Sequence, residues 1–197
     1  MSALTMMKTL IGHFCCNDLR DGLFILTLTD LHQSNTFVNK NWHITSIVDL
    51  EWACTRPIEM QHPPYWLTDQ AVDTVDCDAY NTMCEEFIVV FEQEEKKISM
   101  AWNKGAGFAG TSRYTRLMRK GWDKGKFWYS LALDSPTGLH AIFYDHIQPL
   151  FDAGHADNAA FYQIMSRYWP TDADKFIDTK VKDKEEYDNR LKKKRLK

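Results

Sequence analysis

The spacing of apolar and polar positions changes character several times along this chain. Leu4, Met7, Leu10, Ile11 and Phe14 recur at three- and four-residue steps, which predicts a helix over residues 3–16. From Leu23 to Leu28 the chain is apolar and β-compatible, and it then enters a polar loop, Thr29-Asp30-Leu31-His32-Gln33-Ser34-Asn35. Two short β-type runs follow, Thr36–Asn39 and Ile44–Val48, on either side of Lys40-Asn41-Trp42-His43. Residues 56–64 hold three prolines and read as an irregular loop. Beyond them Val72, Val75, Ala79, Met83, Phe87 and Val90 form a helical stripe, predicting a long helix from Gln70 to Lys97. Glycines across 103–112 end it. Further helices are predicted at 113–120, 122–133, 136–151 and 158–168, with a charged helix over 173–197. The expected fold class is α+β, mostly α: one domain over residues 1–197, with a small β element near its start and a helical bulk behind it.

The strand ends carry the candidate chemistry. A hairpin loop centred on Trp42 sets Val38 opposite Ser46, Thr36 opposite Val48, and Asn35 opposite Asp49. Directly opposed Cβ atoms lie roughly 4.5–5.5 Å apart, so this register brings an amide and a carboxylate together at the open end of the hairpin. Both are hard oxygen ligands of the kind Mg²⁺ accepts beside phosphate oxygens and water. Asp30 lies on the loop feeding the hairpin and can supply a third oxygen group. One carboxylate to accept a hydroxyl proton, with an Asn and a second Asp to hold metal against phosphates, is the set phosphoryl transfer requires. A slip of one residue in register would separate Asn35 from Asp49. Turn formation by the same Asp and Asn side chains is the competing structural reading.

The stretch LTLTDLHQSNTFVNKNWHITSIVDLEWACTRPIEM resembles the catalytic core of the aminoglycoside phosphotransferase and choline-kinase-like family, which has a protein-kinase-like fold. The family pattern is H-G-D-x-x-x-x-N, a hairpin, then I-D-W-E or a close variant, parallel to the protein-kinase signature. The resemblance implies that Asp30 is the catalytic base and that Asn35 and Asp49 bind metal, with Mg²⁺ and ATP as cofactors and a small-molecule hydroxyl as substrate. RPIEMQHPPYW and the helical remainder resemble a large fungal branch of the family. The likeness covers the chain as a C-terminal lobe only. Leu28-Thr29 stand where the family usually has His-Gly, and only 29 residues precede Asp30. A small lobe needs a glycine-rich loop and a strand Lys paired with a helix Glu, and those residues leave no room for them. The chain is therefore expected to be a truncated member, inactive or nearly so alone. The surface facing the absent lobe is expected to be apolar and open to self-association. A non-catalytic, pseudokinase-like interaction module is the alternative, and a helical scaffold capped by the hairpin a third.

Composition bears on partners. A hydrophobic fraction of 44% and an aromatic fraction of 13% supply a substantial core. A net charge of -3 offers nothing global to nucleic acid or to an anionic membrane. The N-terminus is a poor signal peptide, and no apolar run is long enough to span a bilayer. Cys15, Cys16, Cys54, Cys77 and Cys84 follow no pairing or metal pattern, so a cytoplasmic chain with reduced thiols is expected. The G-x-G-x-x-G of residues 105–110 lies downstream of the candidate loop and reads as an inter-helix loop. The acids of DTVDCDAYNTMCEE lack the central Gly of a Ca²⁺ loop and read as a helix surface. The basic tail RLKKKRLK reads as a solvated helix end.

Overall fold

A computed structural model of the chain describes residues 1–19, 21–102, 113–152 and 158–195. The G-x-G-x-x-G of residues 105–110 lies outside them. The fold is α+β and mostly helical, as expected. Helices α1 (Ser2–Thr9) and α2 (Ile11–Phe14) precede strand β1 (Phe24–Leu28). Strands β2 (Thr36–Val38), β3 (Ile44–Ile47) and β4 (Ala53–Pro57) follow. The helical remainder comprises α3 (Cys77–Trp102), α4 (Arg113–Asp123), α5 (Lys126–Asp134), α6 (Leu139–Ile142), α7 (Ala159–Ser166) and α8 (Ala173–Arg195).

The long helix starts later than its stripe predicts, at Cys77 and not at Gln70. Polar side chains set the boundary. Asp76 Oδ1 accepts from Ala79 N at 2.8 Å, as a helix N-cap does. Gln70 Oε1 accepts from Asp76 N at 2.8 Å and from Thr68 Oγ1 at 3.1 Å, which ties residues 68–76 into a turn. Val72 and Val75 still pack against the core, but from that turn.

The core is aromatic. Helix α5 is apolar nearly all round, with Phe127, Trp128, Tyr129, Leu131 and Ala132 buried, which suits a helix running through an interior. Tyr80, Cys84 and Ile88 of α3 line up at helical spacing and are buried too. Tyr80 stacks on Phe127 at 4.8 Å and Phe14 on Tyr129 at 4.4 Å. Both buried phenols are satisfied: Tyr80 Oη donates to Pro63 O at 3.0 Å and Tyr129 Oη to Met7 O at 2.9 Å. Ala3 and Met7 of α1 are buried in the same cluster, so the segment before β1 is helical core.

The strands form two antiparallel pairs, β1 with β4 and β2 with β3. The first corrects the reading of residues 56–64 as wholly irregular, since β4 runs to Pro57 and pairs from Phe24↔Pro57 to Leu28↔Ala53. Pro57 is tolerated because it closes a strand at a sheet edge. The second pair corrects the expected hairpin register. Thr36 faces Ile47 and Phe37 faces Ser46, and a bulge between Phe37 and Val38 sets Val38 opposite Ile44. Val48 N donates to Asn35 O at 3.0 Å, so Asn35 stands opposite Val48 and not Asp49. The loop is the cause. Asn39 Oδ1 accepts from Asn41 N at 2.9 Å and His43 N at 3.0 Å, and Trp42 takes a left-handed φ of 63°. That asymmetric turn moves the pairing by one residue.

The strand-bearing segment is fixed at its neck. Ile58 N donates to Leu23 O at 3.0 Å, closing residues 23–58 into one excursion. Next to this closure Glu59 accepts from Cys16 N at 2.9 Å and from Lys126 Nζ at 2.7 Å. The Glu59 side chain is only 8% exposed and that of Lys126 17%. Removing one partner of a buried pair leaves the other charge desolvated, at a cost well above that of a surface bridge. Lys126→Met keeps the aliphatic stem and removes the charge. It should lower the unfolding free energy by about 3 kcal/mol in urea titrations, and Glu59→Gln in the same chain should restore part of the loss. A cost below about 1 kcal/mol would instead mark an ordinary solvent-screened pair.

Candidate functional site

Asp30 follows directly on the end of β1. Thr29 N and Thr29 Oγ1 both donate to Trp52 O, at 2.9 and 3.1 Å, so the first strand pair is extended by one rung up to the residue before Asp30. Past that point the loop is held by its own side chains. Asn35 Nδ2 donates to Asp30 O at 3.0 Å. His32 Nδ1 accepts from Ser34 N at 3.2 Å, and Asn35 N donates to His32 O at 3.0 Å, winding Gln33–Asn35 into a 3₁₀ turn. Short polar side chains bonding nearby backbone are the usual means of fixing such a loop.

The segment after β4 clamps the loop from outside. Trp66 Nε1 donates to Leu31 O at 2.9 Å, and the His32 ring packs against Trp66 at 5.6 Å. Gln33 Nε2 donates to Asp69 Oδ1, where Asp69 itself has a left-handed φ of 56°. The loop therefore has both ends and its middle tied down without the His-Gly pair expected before Asp30.

Asp49 reaches the same place by an unexpected route. The one-residue shift of register removes it from the rung opposite Asn35, but its backbone turns left-handed, with φ 57°. A non-glycine residue in that region is uncommon, Asp and Asn being among those that tolerate it best. Asp49 lines one cleft with Asp30 and Asn35, a space of about 610 Å³. The described hydrogen bonds and ion pairs engage neither carboxylate side chain. The Asn35 amide nitrogen is committed to Asp30 O, which leaves Oδ1 as its available end; Ser34 Oγ donates to it at 3.3 Å. The cleft lining thus includes two carboxylates and one amide, side chains whose oxygens are of the type Mg²⁺ accepts. Among the described residues no three His, Cys, Asp or Glu side chains cluster as a metal site; the set here counts an amide.

A second polar group lines the cleft. Arg56 of β4 donates through Nη1 to Asp134 Oδ2 at 2.6 Å, and His62 Nε2 lies 3.7 Å from the same oxygen. His62 Nδ1 is 2.9 Å from Pro63 O, which fixes the ring. Burial works against charge on Asp134, but its hydrogen bonds from His62 and Arg56 outweigh it and hold the carboxyl below its ordinary value. Sequence inspection misses this group. Asp134 is distant in sequence from Arg56 and His62, and no spacing rule links them. Trp66 is missed for the same reason.

One other pair of reactive types can be set aside. Cys77 Sγ lies 3.7 Å from His146 Nδ1, and neither lines the cleft. Burial, with Asp76 and Asp78 nearby, pushes the thiol up, the reverse of an activated nucleophile.

The Asp134 group predicts a pH signature. A carboxyl with a lowered folded value contributes stability that is full above the ordinary aspartate range, near pH ~4, and is lost as pH falls through the lowered value. Asp134→Asn should remove that acid limb from the stability–pH profile measured by urea unfolding, while Asp145→Asn should leave it. Profiles that superpose for wild type and Asp134→Asn would mean that Arg56 and His62 do not stabilise the charge. Compared with protein-family models, with curated proteins and with solved structures, the chain matches none.

Proposed function

We propose that the chain is a kinase-like phosphotransferase C-terminal lobe of the aminoglycoside phosphotransferase and choline-kinase-like type. Asp30 is the base that accepts the proton of a substrate hydroxyl, and Asn35 and Asp49 are the ligands of Mg²⁺ on ATP. The observation that supports the reading is that Asp30, Asn35 and Asp49 all line one cleft although the strand register between them is not the expected one. Bound there, Mg²⁺ would neutralise charge on the phosphates. Asn35 is oriented for this by its bond to Asp30 O, which also couples the metal side of the site to the loop that presents the base. The clamp from Trp66 and Asp69 holds that loop, and positioning is most of what the protein contributes to this reaction.

The chain alone is proposed to be inactive or nearly so. The described residues before β1 form α1 and α2, with Ala3, Met7 and Phe14 buried, and supply neither a strand Lys nor a glycine-rich loop over phosphates. The same observation favours a second reading, an interaction module that keeps the site without turnover. The substrate would be a small molecule, entering the cleft between Asp30 and the Arg56–Asp134 group.

Titration calorimetry with ATP, with and without Mg²⁺, tests the proposal directly. The expected result is Mg²⁺-dependent binding that weakens by about tenfold or more, ~1.4 kcal/mol, in Asp49→Ala, with Asp30→Asn binding as wild type. No binding by a folded sample would remove ATP from the reading of this chain. Binding indifferent to both Mg²⁺ and Asp49 would remove the metal site.

A further inference from the structure

The cleft carries a polar pair to which the proposed reaction gives no role. Arg56 of β4 and Asp134, the last residue of α5, both line it and are both mostly buried. Asp134 Oδ2 takes the Arg56 Nη1 bond at 2.6 Å and faces His62 Nε2 at 3.7 Å. The described bonds leave Asp134 Oδ1 open. They engage Nη1 of the guanidinium, with the Cys54 side chain beside it, and leave further N–H groups open. None of these open groups is sealed from water. Open donors thus stand next to an open acceptor on the wall of a space of about 610 Å³. Small-molecule sites are usually about 300–1,000 Å³, largely apolar, with a few convergent polar groups. Tyr65 and Trp66 line the same cleft. The one polar atom of the Trp66 side chain is already bonded to Leu31 O at 2.9 Å, so what Trp66 offers a ligand is apolar.

We propose that the Arg56–Asp134 pair binds adjacent hydroxyl groups, and that the cleft takes a neutral polyol of monosaccharide size. Charge is the first argument. Guanidinium and carboxylate cancel one another at 2.6 Å. A cation brought to Asp134 Oδ1 meets Arg56, and an anion brought to the guanidinium meets Asp134, so neither sign gains at the pair. A hydroxyl suits both partners, because it donates to the carboxylate and accepts from the guanidinium. Two hydroxyls on neighbouring carbons use both open ends at once, through charge-assisted bonds. The second argument is the rest of the wall. Ser135 and Thr137 also line the cleft, with hydroxyl oxygens 3.2 Å apart that each donate and accept. A polyol has C–H faces between its hydroxyl edges, and the rings of Tyr65 and Trp66 supply apolar surface for them. The third is fixity. Arg56 and Asp134 hold each other, and His62, whose Nδ1 donates to Pro63 O at 2.9 Å, stands against the same carboxylate. A polar site ordered before the ligand arrives loses less freedom on binding. Asp30 and Asp49 favour cations by charge alone, so a cationic alcohol is the discriminating comparison. That the polyol accepts phosphate rests on the phosphotransfer reading; that it binds does not.

Saturation-transfer NMR titrations of the full chain, without nucleotide or Mg²⁺, test it. The neutral probes are D-glucose, D-ribose and myo-inositol. Choline and L-lactate are the comparators, each with one hydroxyl and one charge. At least one neutral polyol should bind saturably, and about tenfold or more tighter than either comparator. Arg56→Met with Asp134→Leu removes the pair without leaving an unpaired buried charge. It should weaken polyol binding by about tenfold or more, with far-UV circular dichroism unchanged. Should the double variant fail to fold, the order of the ligands on the wild type decides alone. A folded wild type that binds none of the three polyols overturns the proposal. So does choline or lactate binding as tightly as the best polyol, or a folded double variant that binds as wild type. Polyol binding without ATP binding leaves this site standing and removes phosphotransfer; ATP binding without polyol binding does the reverse.

Discussion

Glu59 is the residue on which the placement of the whole site depends. It stands where the strand-bearing excursion rejoins the helical body, and it binds that junction to two other parts of the chain, Cys16 before the excursion and Lys126 at the start of α5. Arg56, three residues earlier, binds Asp134 at the other end of α5. The exit of β4 thus grips one core helix at both ends. A nine-residue helix is about 13.5 Å long, so two such contacts fix the orientation of β4 against the core as well as its distance. Strand β1 inherits that orientation through its pairing with β4, and Asp30 follows from β1.

The charges on α5 make sense only in this light. A helix favours anions at its N-terminus and cations at its C-terminus. Helix α5 has the reverse, Lys126 at its start and Asp134 at its end. Each is unfavourable within the helix and is matched by a partner from outside it, Glu59 for the one and Arg56 with His62 for the other. A local rule broken twice in one short helix, with tertiary compensation both times, indicates that the ion pairs specify how the sheet docks. Apolar packing alone would hold α5 in the core without deciding which way the strands leave it.

Much of this was readable in the amino-acid sequence, and the limits have physical causes. The helical stripe of α3, the apolar run of β1 and the two short hairpin strands are local patterns with a period, and they lie where that period predicts. The start of α3 was misplaced because Val72 and Val75 are apolar for the core and not for the helix, while the side chains of Gln70 and Asp76 set the cap. Strand β4 was hidden by Pro57, which marks its end. The hairpin register depended on the turn at Asn39–His43, where one side chain takes two backbone N–H groups, and no count of residues anticipates that. Asp30, Asn35 and Asp49 were picked out by type and spacing, and they do share a cleft, but the geometric reason offered for it was incorrect. The Arg56–His62–Asp134 group has no local signature at all, because its members meet only once α5 has docked.

The strands that lead into the cleft are also the least supported part of the fold. A two-stranded sheet is marginal by itself, and here each pair carries loops of the cleft at one end and exposed apolar side chains along its length. Anything that covers them restricts β1, β2, β3 and β4, and so restricts the loops that present Asp30, Asn35 and Asp49. Ordering already achieved by one partner need not be repeated by the next, which gives positive coupling between two ligands without any change of shape. Linkage makes the effect reciprocal: a ligand held at the cleft would favour the ordered strands by the factor by which ordered strands favour the ligand. The Trp66–Leu31 bond bears on how large that factor is. It already ties the loop to the helical body independently of the strands, so the coupling is carried mainly by Asp49, whose left-handed turn hangs between β3 and β4 with no such tether of its own among the described bonds.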